Sequence, residues 1–257
     1  MLVATDLDGT IIRGDGTISA RTVAAFARVE AAGARFVLVT GRPPRVMRDI
    51  AAVFGHRGTA ICANGALTYD MRSGKIEAVR LIPPPVLAAA AAALRAAVPG
   101  IGIAVEYPDG HAADELFQPI AWDVNTSIPD PVLFGRPGSK LLGRHLGYSC
   151  DELLARAEPA IGGLVSVSHS NGKGLIEAAA LGVSKATAVE ELADRAGIGP
   201  RSVLAFGDMP NDLPLLSWAG VSCAVANAHP QVLAAATHVI GSNDDDGVAE
   251  YLEKLFP

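Results

Sequence analysis

Residues 4–12 read Ala-Thr-Asp-Leu-Asp-Gly-Thr-Ile-Ile, at the point where a short apolar segment, residues 2–4, runs out into a Gly-containing turn. Side chains on an extended strand alternate between faces. Asp6 and Asp8 therefore share a face while the backbone stays extended, and Gly9 lets the chain turn immediately afterwards. Two like charges so close do not both stay ionised cheaply, so the pair implies a bound cation, a shared proton, or both. An ordinary strand end followed by a turn also uses Asp, Gly and Thr. A second acidic cluster weighs against that plain reading: Gly207-Asp208-Met209-Pro210-Asn211-Asp212 follows another apolar run, residues 202–206.

Short apolar runs that end in polar turns and alternate with Ala-rich helical patterns are the signature of a parallel sheet with crossover helices. The first half predicts strands over residues 2–4, 35–39 and 59–62, and helices over 20–32 and 44–54, with Gly33 as a helix stop. The turns that follow the strands, Thr5 to Thr10, Thr40-Gly41-Arg42 and Ala63-Asn64-Gly65, gather at the carboxyl edge of such a sheet, where ligands bind. Asn64-Gly65 also suits a hairpin turn into residues 67–69. From Pro83-Pro84-Pro85 to about Val167 the pattern changes to a helix over 86–98, an extended segment over 101–107, Pro- and Gly-interrupted sequence, and a helix near 150–160. The expectation is an α/β protein: a Rossmann-like parallel-sheet core from residues 1–82 and 168–257, with an inserted α/β domain over 83–167. In the returning core segment, strands are expected at 174–177, 202–206 and 221–225. Helices are expected at 184–196 and 212–218, with a last one ending near 255.

Composition fits that plan. With 257 residues, 50% of them hydrophobic, the chain can bury a sizeable core and form two unequal domains. A net charge of −6 and a pI near 5.5 leave no basic field over the chain, which argues against nucleic acid or anionic membrane as its main partner. Cys62, Cys150 and Cys223 are odd in number and lack CxxC spacing, so neither a disulfide framework nor a zinc site is expected and a reducing cytoplasm fits. No secretion signal precedes Asp6. The Ala-rich stretch 86–98 is broken by Arg95 and falls short of the roughly 20 apolar residues of a membrane span. No heptad or exposed apolar stripe speaks to oligomeric state.

Four features thus fall at strand ends or helix starts of one sheet: Asp6 with Asp8, Thr40-Gly41, Lys185, and Asp208 with Asp212. Their combined chemistry is phosphoryl transfer, which needs an attacking group, a proton donor for the leaving alcohol, and positive charge on the non-bridging oxygens. One carboxylate can attack phosphorus and another can protonate the departing oxygen. The Thr40 hydroxyl and backbone N–H groups, as at Leu7 and Gly41, can hold the phosphate, and Lys185 can neutralise it. Asp6, Asp8 and Asp208 are hard oxygen donors suited to Mg²⁺, which would also screen an anionic ester from an anionic nucleophile.

In these stretches the chain resembles the haloacid dehalogenase superfamily of phosphohydrolases, and within it the Cof-like sugar-phosphatase branch with a type IIB cap. Asp6-Leu7-Asp8-Gly9-Thr10, Thr40-Gly41-Arg42, Gly182-Val183-Ser184-Lys185 and Gly207-Asp208-Met209-Pro210-Asn211-Asp212 resemble its four motifs, in family order. The resemblance implies that Asp6 is the nucleophile forming an aspartyl-phosphate and that Asp8 is the general acid and then the base. It implies that Thr40 and Lys185 bind phosphate, that Asp208 completes the Mg²⁺ site, that Asn211 contacts phosphate, and that Asp212 supports the metal shell or Lys185. It implies also that the insert is a mobile cap governing substrate choice. Ala186 stands where relatives often have Gly, which leaves the Lys185 amine intact. Arg42 suits either a substrate or a carboxylate partner, and Asn64 sits at the same edge as a candidate substrate contact.

The expected activity is Mg²⁺-dependent hydrolysis of a small phosphorylated metabolite such as a sugar phosphate. A phosphomutase of the same superfamily and a non-catalytic phosphometabolite-binding protein are the alternatives. Other polar clusters carry plainer readings. Ser170-Asn171-Gly172-Lys173-Gly174 lacks P-loop spacing and reads as a hairpin or hinge. Asp244-Asp245-Asp246 reads as the cap of the last helix, and His111, His145 and His169 are scattered.

Overall fold

The computed structural model describes residues 1–118, 127–170 and 174–257. The chain divides into two compact units, Met1–Ala78 with Ser184–Pro257, and Val79–Val183.

The first unit opens with β1 (Leu2–Thr5), α1 (Ala20–Ala31), β2 (Arg35–Val39), α2 (Arg48–Val53), β3 (Thr59–Cys62), β4 (Leu67–Asp70) and β5 (Lys75–Val79). Ser19 caps α1 by accepting the Thr22 N–H. Ala25, Phe26 and Val29 put one apolar face inward, and Phe26 meets Phe36 and Phe54 with ring centroids 5.2 and 5.6 Å away. Gly33, at φ 78°, then turns the chain into β2. The helix expected over 44–54 is split into a 3₁₀ turn, Pro44–Val46, and α2. Asn64-Gly65 does lead into a hairpin, β4 running antiparallel to β3.

The second unit holds α3 (Pro84–Ala97), β6 (Gly102–Tyr107), β7 (Gly110–Ala113), α4 (Asp130–Leu133), β8 (Lys140–Arg144), α5 (Cys150–Ile161), β9 (Val165–Ser168) and β10 (Leu175–Ala180). Its strands form a five-stranded sheet in the order β7-β6-β8-β10-β9. Leu87, Leu94, Leu153 and Ile161 from α3 and α5 pack with Ile103, Val105, Leu141 and Ile176 of the sheet. A second, smaller cluster joins Ala104, Ala113, Phe117, Leu142 and Leu175. Here the structure corrects the sequence reading. The strand expected at 174–177 to resume the core is β10, which pairs antiparallel with β8 and β9, so the second unit runs to Val183 rather than ending at 167. Gly174, at φ 64°, starts a strand whose Ile176 and Ala178 complete the α3–α5 core. An apolar run of this length looks the same whichever sheet receives it.

The chain then returns to the first unit through α6 (Lys185–Arg195), β11 (Val203–Gly207), α7 (Leu213–Trp218), β12 (Val221–Val225), α8 (Pro230–Ala235), β13 (His238–Ile240) and α9 (Gly247–Leu255). The complete sheet has the order β13-β12-β11-β1-β2-β3-β4-β5, parallel from β13 through β3. Because β1 sits between β2 and β11, the connections leave it in opposite directions, and the crevice at its carboxyl end is where an open α/β sheet binds ligands. The three cysteines are buried and form no disulfide. No helix among the described residues is long and apolar enough to cross a membrane.

Candidate active site

The ends of β1 and β11 and the start of α6 meet at Asp6. The Asp6 N–H donates to the Phe206 carbonyl (3.0 Å), tying the end of β1 to β11, and the next turn folds back so that the Leu7 carbonyl accepts the N–H groups of Thr10, Ile11 and Ile12. Leu7 itself is buried. Ser184 caps α6 in a reciprocal capping box with Thr187 and sets Lys185 in the first turn, where its ammonium is buried. Lys185 Nζ donates to Asp6 Oδ1 and to Asp212 Oδ1, both at 2.6 Å. The other oxygen of Asp212 accepts the backbone N–H groups of Asp208 and Met209 at 3.0 Å, so Asp212 fixes the loop that carries Asp208. Gly207 makes room for it: a Cβ there would lie 2.6 Å from the Asp212 side chain.

Asp6, Asp208 and Asp212 are all buried. One oxygen from each lies within 4.8 Å of the others, a grouping that could hold a metal ion. Three carboxylates against one ammonium leave this pocket short of positive charge. Burial, reinforced by the Asp212 and Asp8 charges against the pull of Lys185, pushes the Asp6 carboxyl up to about 7. Burial together with the Asp6 and Asp212 charges pushes Asp208 up to about 9. Burial works against the Lys185 charge, but Asp212 and Asp6 more than offset it and hold the ammonium above its ordinary range.

The remaining expected residues line the same edge. Thr40, fully buried, accepts the Arg42 N–H on its hydroxyl at 3.0 Å, and its own N–H donates to Ile61 at the end of β3. Gly41 lies between them. Asp8 falls outside the three-acid group: its two oxygens face Arg42, with Nε at 2.8 Å and Nη2 at 2.5 Å. Asn211 Nδ2 donates to Asn64 Oδ1 at 3.1 Å, which joins the loop after β11 to that after β3, where Ala63 and Asn64 both take left-handed backbone, at φ 51° and 57°.

Several supports carry no such signal in the sequence. Thr10 donates to Asp208 Oδ1 at 3.1 Å. Asn227 Nδ2 donates to the Gly9 carbonyl, and Asn243 Nδ2 to that of Ile12, both at 2.8 Å. The Asp244-Asp245-Asp246 cap reading is corrected. Asp246 stands at the N-cap position without a side-chain capping bond and instead takes Arg13 at 2.7 Å, while Asp244 accepts the Gly14 N–H at 2.7 Å. Both acids anchor the segment that follows the Asp6 turn. Only the three-dimensional return of Asp208 and of residues 227–246 to residues 9–14 gives these side chains their partners.

Gly9 is required on two counts. Its φ is +79°, and a Cβ there would lie 2.4 Å from Asp208 Oδ2. Gly9→Ala is expected to lower stability by about 1–2 kcal/mol from backbone strain alone, and by more if Asp208 cannot move. Denaturant unfolding checks this, and an unchanged midpoint would contradict it.

A twisted parallel sheet with acids and a buried lysine at its carboxyl edge and a second α/β unit spliced between its halves defines a class of α/β hydrolases. The chain belongs to the haloacid dehalogenase-like hydrolases, whose family model matches residues 3–105 and 140–252. It is 28% identical to 5-amino-6-(5-phospho-D-ribitylamino)uracil phosphatase YbjI of Escherichia coli (strain K12), over 99% of this chain and 95% of that protein. It is 30% identical to a phosphoglycolate phosphatase of Methanoculleus marisnigri, over 99% of this chain and 96% of that one. Its fold matches that of BT4131, a subclass IIB sugar phosphatase, with a TM-score of 0.84, 20% identity, and coverage of 99% and 98% of the two chains.

Proposed function

We propose that this chain is a Mg²⁺-dependent phosphatase that hydrolyses a small phosphorylated metabolite, of the sugar-phosphate kind, through a covalent aspartyl-phosphate on Asp6. The observation that carries the reading is the buried set of Asp6, Lys185, Asp208 and Asp212, with Asp8 two residues along the same turn. Asp6 lies beside a cation that holds its oxygen in place, and Lys185 has three donors for two carboxylate partners, which leaves one for a phosphate oxygen. Attack by Asp6 forms a bond to phosphorus as the ester bond breaks, and Asp8, once released from Arg42 and protonated from solvent, gives that proton to the departing alkoxide. Asp8 then takes a proton from water, whose oxygen displaces Asp6 and releases inorganic phosphate. Thr40 and the N–H groups around Leu7 and Gly41 would hold the non-bridging oxygens.

The donor set fits the metal: all oxygen, buried, and short of positive charge, which suits a hard divalent cation. Asp6 and Asp208 would hold it, with Asp212 fixing the Asp208 loop, while Asp8 stays out of the shell for proton transfer. Bound Mg²⁺ would supply the charge that lets an anionic ester approach an anionic nucleophile. The relatives are named for small monoesters that differ in their alcohols, a phosphoribityl compound and phosphoglycolate, which supports the bond rather than one alcohol.

Phosphate release from a panel of sugar phosphates, nucleotides and small phosphorylated acids, with Mg²⁺ or with chelator, tests the reading. Metal-dependent release supports it. No release from any member sinks it, and isomer formation that needs a bisphosphate activator would mark a mutase.

Metal binding should also be visible in pH dependence. With no metal bound, the folded protein holds protons on Asp6 up to about 7 and on Asp208 up to about 9, whereas both ionise near 3.8 when unfolded. Their contribution to stability is therefore full below about 3.8 and is lost progressively above it, until pH has risen through about 7 and about 9. Mg²⁺ displaces those protons, so its effect on the unfolding temperature should be larger at high pH than at low pH. Equal shifts at pH values on either side of this window would contradict the assignment.

A further inference from the structure

The geometry points to Arg42 as a latch that holds Asp8 in a resting pose and lets it go by passing its N–H donors to the anionic substrate. The inference rests on the phosphatase reading above. In that reaction Asp8 must reach first the leaving oxygen and then water. In the structure both of its carboxylate oxygens are taken by a single guanidinium, Nε on Oδ2 at 2.8 Å and Nη2 on Oδ1 at 2.5 Å, in the two-pronged arrangement that fixes a carboxylate in orientation. A carboxylate held at both oxygens cannot turn toward another group until the pair opens.

Opening has a cost unless the guanidinium finds an equivalent acceptor, because Arg42 is partly buried, its side chain 19% exposed, and gives up a two-pronged charge-assisted bond. A phosphoryl group is such an acceptor. It matches the planar fork of an arginine as a carboxylate does and carries more charge. Three observations put Arg42 where the exchange can happen. Its N–H is bonded to the Thr40 hydroxyl and its carbonyl accepts the Ala63 N–H, so its backbone is fixed between two of the loops at the sheet edge. Its guanidinium lies in the electrostatic field of Asp6. The Asp8 side chain is 45% exposed, so the pair can be approached from solvent on the Asp8 side. A monoester seated against Asp6 would draw Arg42 onto its non-bridging oxygens and free Asp8, which takes up a proton from solvent and passes it to the leaving alcohol. Without bound phosphate, Asp8 stays paired.

The test is the structure of the wild-type protein with Mg²⁺ and orthovanadate, joined to kinetics of Arg42→Ala and Arg42→Lys on the best phosphate ester of the panel. The expected structure has the Arg42 guanidinium on vanadate oxygens and Asp8 turned away from it. KM for Arg42→Ala should rise at least tenfold with kcat changed less than threefold, and Arg42→Lys should recover only part of the KM because an ammonium cannot engage two oxygens in parallel. A purely structural arginine would lower the unfolding midpoint and leave KM alone. Arg42 still paired with Asp8 in the vanadate complex, or an unchanged KM in Arg42→Ala, overturns the latch while the phosphatase reading stands. Absence of both turnover and vanadate binding in the wild type takes the two readings down together.

Discussion

Asp6→Asn is expected to abolish turnover, lowering kcat by at least about 10⁴-fold, because an amide cannot form the phosphoenzyme and no neighbouring group replaces it. The substitution is nearly isosteric and removes one of three crowded acids, so the variant should fold. Lys185 keeps Asp212 as its partner at 2.6 Å. Burial already opposes the Asp6 charge, so the unfolding midpoint of the metal-free variant should equal or exceed that of the wild type. Phosphate release and thermal unfolding, measured side by side, separate a lost nucleophile from a lost fold. Residual activity within a hundredfold of wild type would remove Asp6 from the nucleophile's role.

Lys185→Met is expected to produce the largest loss of stability of any single substitution in the site. The side chain is 1% exposed and is the cation that joins Asp6 to Asp212. Methionine fills similar space but leaves both carboxylates buried beside Asp208 with no positive partner, and breaking a buried pair from one side costs about 3–5 kcal/mol. Urea unfolding in the presence of chelator measures the loss. Added Mg²⁺ should restore more stability to Lys185→Met than to wild type, because the variant has the greater deficit of positive charge. A loss below about 1 kcal/mol would mean that the cluster relaxes or takes up protons at little cost.

How far these residues could be read from the sequence follows from the range of the interactions that place them. Asp6, Asp8, Thr40, Lys185 and Asp208 each lie within a few residues of a strand end or helix cap, so local pattern and order along the chain located them. The sequence leaves Asp212 with two roles, the metal shell or Lys185, and does not pair Lys185 with Asp6; the structure gives Asp212 to the lysine and to the Asp208 loop. The turn of Asp8 toward Arg42 was likewise one of two options for that arginine. Thr10, Asn227, Asn243 and Asp244 could not be read, because each acts on a backbone or side-chain atom brought near only by the closed sheet. The same limit explains β10. Its residues are apolar enough for either sheet, and only the antiparallel partners β8 and β9 decide which one receives it. The cluster at 170–174 lies largely outside the described residues, at 171–173.

The central position of β1 has a consequence for biosynthesis. One edge of Leu2–Thr5 is covered by β2 soon after both leave the ribosome, but the other waits for Val203–Gly207. Until then a nascent chain carries an apolar strand with an open row of backbone donors and acceptors, the kind of surface that templates mispairing. The second unit builds its sheet entirely from residues that emerge in between. Asp6 is thus made first, while Lys185, Asp208 and Asp212 arrive last. A prematurely terminated chain bears Asp6 without the groups that hold its carboxylate, so incomplete synthesis yields an aggregation hazard and not a partly active hydrolase.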